Sequence, residues 1–141
     1  MADILDTFNI AASGLTAERV RLQTIATNMA NARTTRTAEG GPYQRKVAVF
    51  EAQPVDEFGD ALARETDRVV VTAIQGDGSA PQLVYDPTHP DADNAGYVAY
   101  PNVNVLQEMV DLMTTSRTYE ANASVVETTR DMAMRALEIG R

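Results

Sequence analysis

The chain has 141 residues, enough for one ordinary domain, and 44% of them are hydrophobic, yet only eight are aromatic and none is tryptophan. Its core must be built from Ala, Val, Leu, Ile and Met, which suits helices packed side by side better than a deep catalytic core. A formal charge of -8 argues against nucleic acid as a partner, because phosphate is drawn to basic surfaces, and the absence of cysteine excludes both a disulfide framework and a thiolate metal site.

The charge is unevenly spread. Residues 1–36 carry four basic and three acidic groups, 37–103 carry four and eleven, and 104–141 carry four and six. An acidic middle between nearly balanced ends suggests ends that are buried against something and a middle that faces water. The first 18 residues hold Asp3, Asp6 and Glu18 with no Lys or Arg, the wrong charge for the start of a secretory signal. No uncharged apolar stretch approaches membrane-spanning length, so direct membrane insertion is not expected.

Along the first segment Phe8, Leu15, Leu22 and Met29 recur every seven residues, flanked by Leu5, Ala12, Ala26, Ala11, Ile25 and Ala32. This is the stripe of one long amphipathic helix over about residues 4–32, roughly 45 Å long. Gly14 interrupts it at a cost of about 1 kcal/mol against alanine, unless another backbone approaches closely there. Asn28 and Asn31 stand a turn apart at its end. Asparagine there either caps exposed carbonyls or reaches across to a neighbouring backbone.

Gly40, Gly41 and Pro42 stop the helical pattern. "YQRKVAVF" (43–50) and "RVVVTAI" (68–74) then read as strands, with "QLVY" (82–85) and "GYVAY" (96–100) as two shorter ones. "EFGDALARETD" (57–67) fits neither state cleanly, and "YDPTHPDADNAGY" is a surface turn region.

The last segment opens at Asn104, a suitable N-cap with Gln107 three residues on, and Gly140 stands where a C-terminal cap belongs. Between them Val105, Met109, Leu112, Ser116, Tyr119, Ala123, Val126, Arg130, Ala133 and Leu137 step by alternating four and three, the spacing of a coiled-coil seam. The expected fold is therefore α+β: two long terminal helices forming a coiled-coil-like pair over 1–36 and 104–141, with a small β-rich module over 37–103. The seams carry Glu18, Arg19, Ser116 and Arg130 and have alanine-rich shoulders. Such seams suit packing against several neighbours, although an ordinary hairpin inside one chain satisfies the same periodicity.

Catalytic chemistry finds little support. His89 is the only histidine, sits in "PTHPD", and reads as a solvated turn residue rather than a catalytic base. "DADNAG" (91–96) starts like a calcium loop but has Ala95 at the fifth position and Asn102 at the twelfth, so an Asx turn is the better reading. "GDG" (76–78) lacks the lysine and helix of a phosphate loop. No enzyme activity, cofactor or metal is expected.

Both ends match one family together. "ASGLTAERVRLQTIATNMAN" resembles the N-terminal motif of the axial proteins of the bacterial flagellum, the rod and hook group, through Ser13, Gly14, Leu15, Ala17, Leu22, Asn28, Ala30 and Asn31. "PNVNVLQEMVDLMTTSRTYEANASVVETTRDM" is similar to the terminal helix of the same group, including Asn104, Arg117, Tyr119, Glu120 and Asn122. The short length, "GGPYQRKVAVF" and "LVYDPTHPDADNAGYVAYPNVN" resemble the proximal-rod members rather than the longer distal-rod and hook proteins. Met29 stands where the family more often has Ile or Leu, a volume-conserving exchange.

The resemblance implies a structural subunit that joins copies of itself and other rod proteins through its terminal helices. It implies export through the flagellar type III apparatus without cleavage, and a place in the periplasm-spanning rod of the basal body. The assembly face expected from it comprises Phe8, Gly14, Leu15, Leu22, Asn28, Met29 and Asn31 on the first helix and Val105, Met109, Leu112, Tyr119, Val126 and Leu137 on the second. A small acidic type III export chaperone or adaptor is the competing class, sharing size and charge but lacking the terminal motifs.

Overall fold

The computed structural model describes residues 2–54 and 67–139. Two long helices frame it: α1 spans Ala2–Ala30 and α2 spans Val105–Ile139, about 43 and 52 Å at the α-helical rise. Neither helix contains proline. Asn104 starts α2 as the sequence suggests, its Oδ1 accepting the N–H groups of Leu106 (3.1 Å) and Gln107 (3.2 Å). The reciprocal half of the box is missing, because Gln107 turns forward and donates to Asp111 at 3.1 Å. Gly140, the expected C-terminal cap, lies outside the described residues, as do residues 57–66 of the ambiguous stretch.

The helices run antiparallel. Asn28 meets Glu108 and Gly14 meets Asn122, so a step of two heptads down one helix matches the same step up the other. At Gly14 the approach is close enough that an added Cβ would stand 3.0 Å from Asn122 Nδ2. The close neighbour is the side chain of Asn122 in the same chain rather than a backbone, so the glycine makes room for contact between the two helices.

Four strands form two separate antiparallel hairpins. Strand β1 (Lys46–Pro54) pairs with β2 (Asp67–Gly76), with a shift of register between Val49 and Phe50, and β3 (Gln82–Tyr85) pairs with β4 (Tyr97–Tyr100). The first strand begins three residues later than its sequence pattern does, because Tyr43 and Arg45 are drawn inward to the helices instead of joining the ladder. The β1–β2 hairpin lies along α1. Ser13 Oγ accepts the N–H of Val69 at 3.1 Å, and the Arg21 guanidinium stands 4.6 Å over the Phe50 ring.

The β3–β4 hairpin closes around Val98, which is fully buried, with Pro101 and Val103 beside it. Tyr85 and Tyr97 face each other across the ladder, ring edge to ring face at 5.3 Å. Its connecting loop is tied back to the exit of α1 through Asp91, which accepts from the Thr35 hydroxyl at 2.8 Å and faces Arg36 at 3.8 Å. Gly96 sits in this loop at φ 82°, a backbone that disfavours side chains, and a Cβ there would also strike Tyr85.

Candidate functional site

The covered seam between the helices is not the apolar stripe that periodicity picks out on α2. Glu108 and Thr115 are buried and Asn122 and Thr129 half-buried, four polar residues at heptad spacing that face Ala11, Gly14, Ala17, Thr24, Ile25 and Asn28 on α1. Of the residues expected to line the seam, Leu112, Ser116, Ala123, Val126 and Ala133 are half-buried, but Val105, Met109, Tyr119, Arg130 and Leu137 are exposed. The seam is rotated by about one residue position from the stripe. An apolar row marks a face to be kept dry and says nothing of what dries it.

The asymmetry between the helices is pronounced. No large apolar side chain described on α1 is exposed; Phe8, Leu15, Leu22 and Met29 are each half-buried. On α2, Leu106, Met109, Val110 and Met113, at i, i+3, i+4 and i+7, are 73%, 42%, 51% and 64% exposed and form one outward stripe. Leu22 and Leu112 line a common groove at the edge of the pair with Met113, Ser116, Arg117 and Glu120.

Where α1, α2 and β1 meet, a buried polar junction replaces a hydrophobic core. Asn28, 1% exposed, spends its whole side-chain amide there. Its Nδ2 donates to the Lys46 carbonyl at 2.8 Å and to Glu108 Oε2 at 3.2 Å, while its Oδ1 accepts from Lys46 N–H at 2.8 Å and Tyr43 O–H at 2.9 Å. The amide thus takes both backbone groups of Lys46, as a residue of a third strand would, and caps the start of β1 on its open edge.

Glu108, also 1% exposed, accepts from Arg45 Nε at 2.6 Å through its other oxygen. Arg45 reaches Asp77 at 3.7 Å, and its N–H donates to Asn102 Oδ1 at 2.9 Å. Burial, then the nearby Glu108 charge, raises the Tyr43 phenol above its ordinary pKa of 10.0, so it remains a donor to Asn28 across the neutral range. A cleft of about 280 Å³ opens beside the junction between Arg21, Thr24, Asn28, Lys46, Asp111 and Thr115.

The two asparagines therefore divide the roles that sequence reasoning left open. Asn28 does reach a backbone across a gap, but the backbone is that of its own chain at Lys46 rather than a neighbour's. Asn31 caps, its Nδ2 donating to the Thr27 carbonyl at 2.9 Å and its Oδ1 accepting from the Thr34 hydroxyl at 3.2 Å. Sequence reasoning missed Tyr43, Arg45, Asn102 and Glu108 as members of this junction. The one available signal was the polar heptad 108, 115, 122, 129, running beside the apolar row.

The residues considered for chemistry are committed elsewhere. His89 Nδ1 accepts the Asp91 N–H at 3.1 Å, and its ring stands edge-on to Tyr100 at 6.2 Å. Asp93 Oδ1 accepts the N–H groups of Ala95 and Tyr97, both at 2.8 Å, which makes an Asx turn of the calcium-like stretch. Asp77 of "GDG" likewise holds Ser79 through its N–H at 3.1 Å and hydroxyl at 2.7 Å. Among the described residues no helix is long and apolar enough to cross a membrane.

Comparison with known proteins agrees at both ends. Residues 8–36 match the family model described as flagella basal body rod protein, and residues 94–139 match the one described as flagellar basal body rod FlgEFG protein C-terminal. The flagellar basal-body rod protein FlgC of Bacillus subtilis is 42% identical over 144 residues, covering 94% of this chain and 95% of that one. FlgC of Borreliella burgdorferi is 40% identical, covering 96% and 97%, and FlgC of Escherichia coli is 38% identical, covering 98% of each.

Proposed function

Because this chain belongs to the flagellar basal-body rod proteins, with FlgC relatives along nearly its whole length, we propose that it is a structural subunit of the proximal rod. Its terminal helices build a helical shaft that carries motor torque, and it has no catalytic role. It reaches the rod through the flagellar type III export apparatus, and its neighbours there are copies of itself and other rod proteins.

One observation carries this reading: α2 hides a polar seam and presents its large apolar side chains outward. Fully burying a Leu, Val or Met side chain contributes about 1.5–3 kcal/mol, and roughly half of that remains unrealised at each residue of the 106–113 stripe in a single chain. Contacts that do not close on themselves generate an open helical array, in which each pair of helices covers the stripe of the next. The proposed faces are Phe8, Leu15, Leu22 and Met29 on α1, and on α2 Val105, Met109, Leu112, Tyr119, Val126 and Leu137 together with Leu106, Val110 and Met113 of the outward stripe. The polar junction has a complementary task, fixing the β1–β2 hairpin rigidly to the shaft-forming helices.

Replacing Leu22 or Leu112 with Asp abolishes rod assembly and swimming while export into the medium stays measurable. Leu106→Asp, at a site 73% exposed, does the same with the fold of the single chain left intact. Normal swimming in all three variants would refute the reading.

A further inference from the structure

Four of the five methionines in the described residues lie exposed on α2, and two of them stand within its outward apolar stripe: Met109, 42% exposed, between Leu106 and Val110, and Met113, 64% exposed, one turn further on. Met132 and Met134 are as exposed, but Arg130, Asp131 and Arg135 surround them on a charged surface. The fifth, Met29, is half-buried at the end of α1.

We propose that Met109 and Met113 form an oxidation site through which a hydroperoxide switches the subunit from assembly-competent to assembly-blocked. The inference rests on the rod reading above. In each reaction a sulfur lone pair takes one oxygen from hydrogen peroxide, the O–O bond breaks and water leaves with both peroxide hydrogens. The thioether is oxidised by two electrons to the sulfoxide.

The product carries a strong acceptor dipole where the stripe has only carbon and sulfur. Neither Leu106 nor Val110 offers a side-chain donor to a sulfoxide at Met109, so covering the stripe strands that group. Met113 shares its groove with Ser116 and Arg117 and contributes chiefly by losing an apolar contact. Oxidation at Met132 and Met134 adds a dipole to a surface that is already charged and has a smaller effect. Once the stripe is covered the sulfurs are shielded, which confines the switch to subunits not yet assembled.

The test compares three pairs of substitutions in a strain whose only copy is the variant: M109Q/M113Q, in which the amide imitates the sulfoxide, M109L/M113L, and M132Q/M134Q. Subunit content of isolated basal bodies is measured by mass spectrometry. Peroxide mapping of the purified chain is run beside it, and circular dichroism checks that the glutamine pair remains folded.

The expected result is at least about a ten-fold lower incorporation of M109Q/M113Q than of M109L/M113L, with M132Q/M134Q much closer to wild type. In the purified chain the 16-dalton gain of about one oxygen atom appears on Met109 and Met113 before Met29. Equal incorporation of the glutamine and leucine pairs at 109 and 113, or earlier oxidation of Met29, overturns the proposal and leaves the rod reading standing. Absence of the unsubstituted chain from basal bodies overturns both.

Discussion

Asn28→Ala tests whether the polar junction holds the subunit together. The change removes four hydrogen bonds in a site 1% exposed. Their loss is not four equal terms. Lys46 is exposed and next to the open cleft, so its N–H and carbonyl regain water. The Tyr43 hydroxyl and Glu108 Oε2 are buried, and each stranded group costs about 1–3 kcal/mol, with the charged one at the upper end. The expected loss is about 3–5 kcal/mol, a large part of the roughly 5–15 kcal/mol that holds an ordinary domain folded. Urea unfolding of the purified chain, followed by circular dichroism, measures it as a shift in midpoint at constant slope.

Asn28→Asp sharpens the test by keeping the shape and exchanging the donor for a charge. The introduced carboxylate faces Glu108 and the Lys46 carbonyl, so its folded-state pKa must rise above the unfolded value of about 3.9. A raised carboxyl pKa means that the penalty is complete above the folded-state pKa and fades as pH falls through it, when the protonated group can donate again. The deficit against wild type therefore narrows toward acid pH. A loss below about 1 kcal/mol for Asn28→Ala, or an Asn28→Asp deficit independent of pH, would show that the junction is not what joins the three elements.

Two further predictions probe the helix contact and a turn. Gly14→Ala gains about 1 kcal/mol of helix propensity but presses on Asn122, so alone it is close to neutral, whereas Gly14→Ala with Asn122→Ala is stabilising in thermal melts and Gly14→Val is destabilising by about 1–3 kcal/mol. Asp77 titrates below 3.8 because the Ser79 hydroxyl and N–H bond its carboxylate, with Arg45 adding its charge. A lowered folded-state pKa means that this turn's contribution is present above 3.8 and lost as pH falls through the folded value. Carboxyl chemical shifts followed against pH should show Ser79→Ala moving the Asp77 midpoint up toward 3.8.

Much of this fold is legible in the sequence because its elements are long or strongly patterned. Phe8, Leu15, Leu22 and Met29 announce α1, Asn104 marks the start of α2, and the β-branched run at 69–71 marks β2. The start of β1 is less legible, since Tyr43 and Arg45 have strand-like character and are recruited by Asn28 and Glu108 through contacts 15 and 63 residues away in the chain. Local propensity cannot report such partners. The pairing of α2 was legible in period but not in phase, because Glu108, Thr115 and Asn122 are polar and a search for apolar residues passes over them.

That phase shift also explains why one chain can be both a folded subunit and an unfinished one. A helix pair joined by its own best apolar rows would be self-sufficient and would have little surface left to offer. Here small residues at 11, 14 and 17 let the helices approach, and hydrogen bonds at Asn28 and Glu108 fix their register. Hydrogen bonds of this kind contribute only about 1 kcal/mol each to net stability but specify geometry strongly, since a slip by one residue strands every buried partner. Orientation is thus set by polar groups that add little net adhesion. The large apolar side chains of α2, whose burial contributes more per residue, remain uncommitted on the outside. Exchanging those two sets of residues on α2 would give a tighter monomer and a poorer building block.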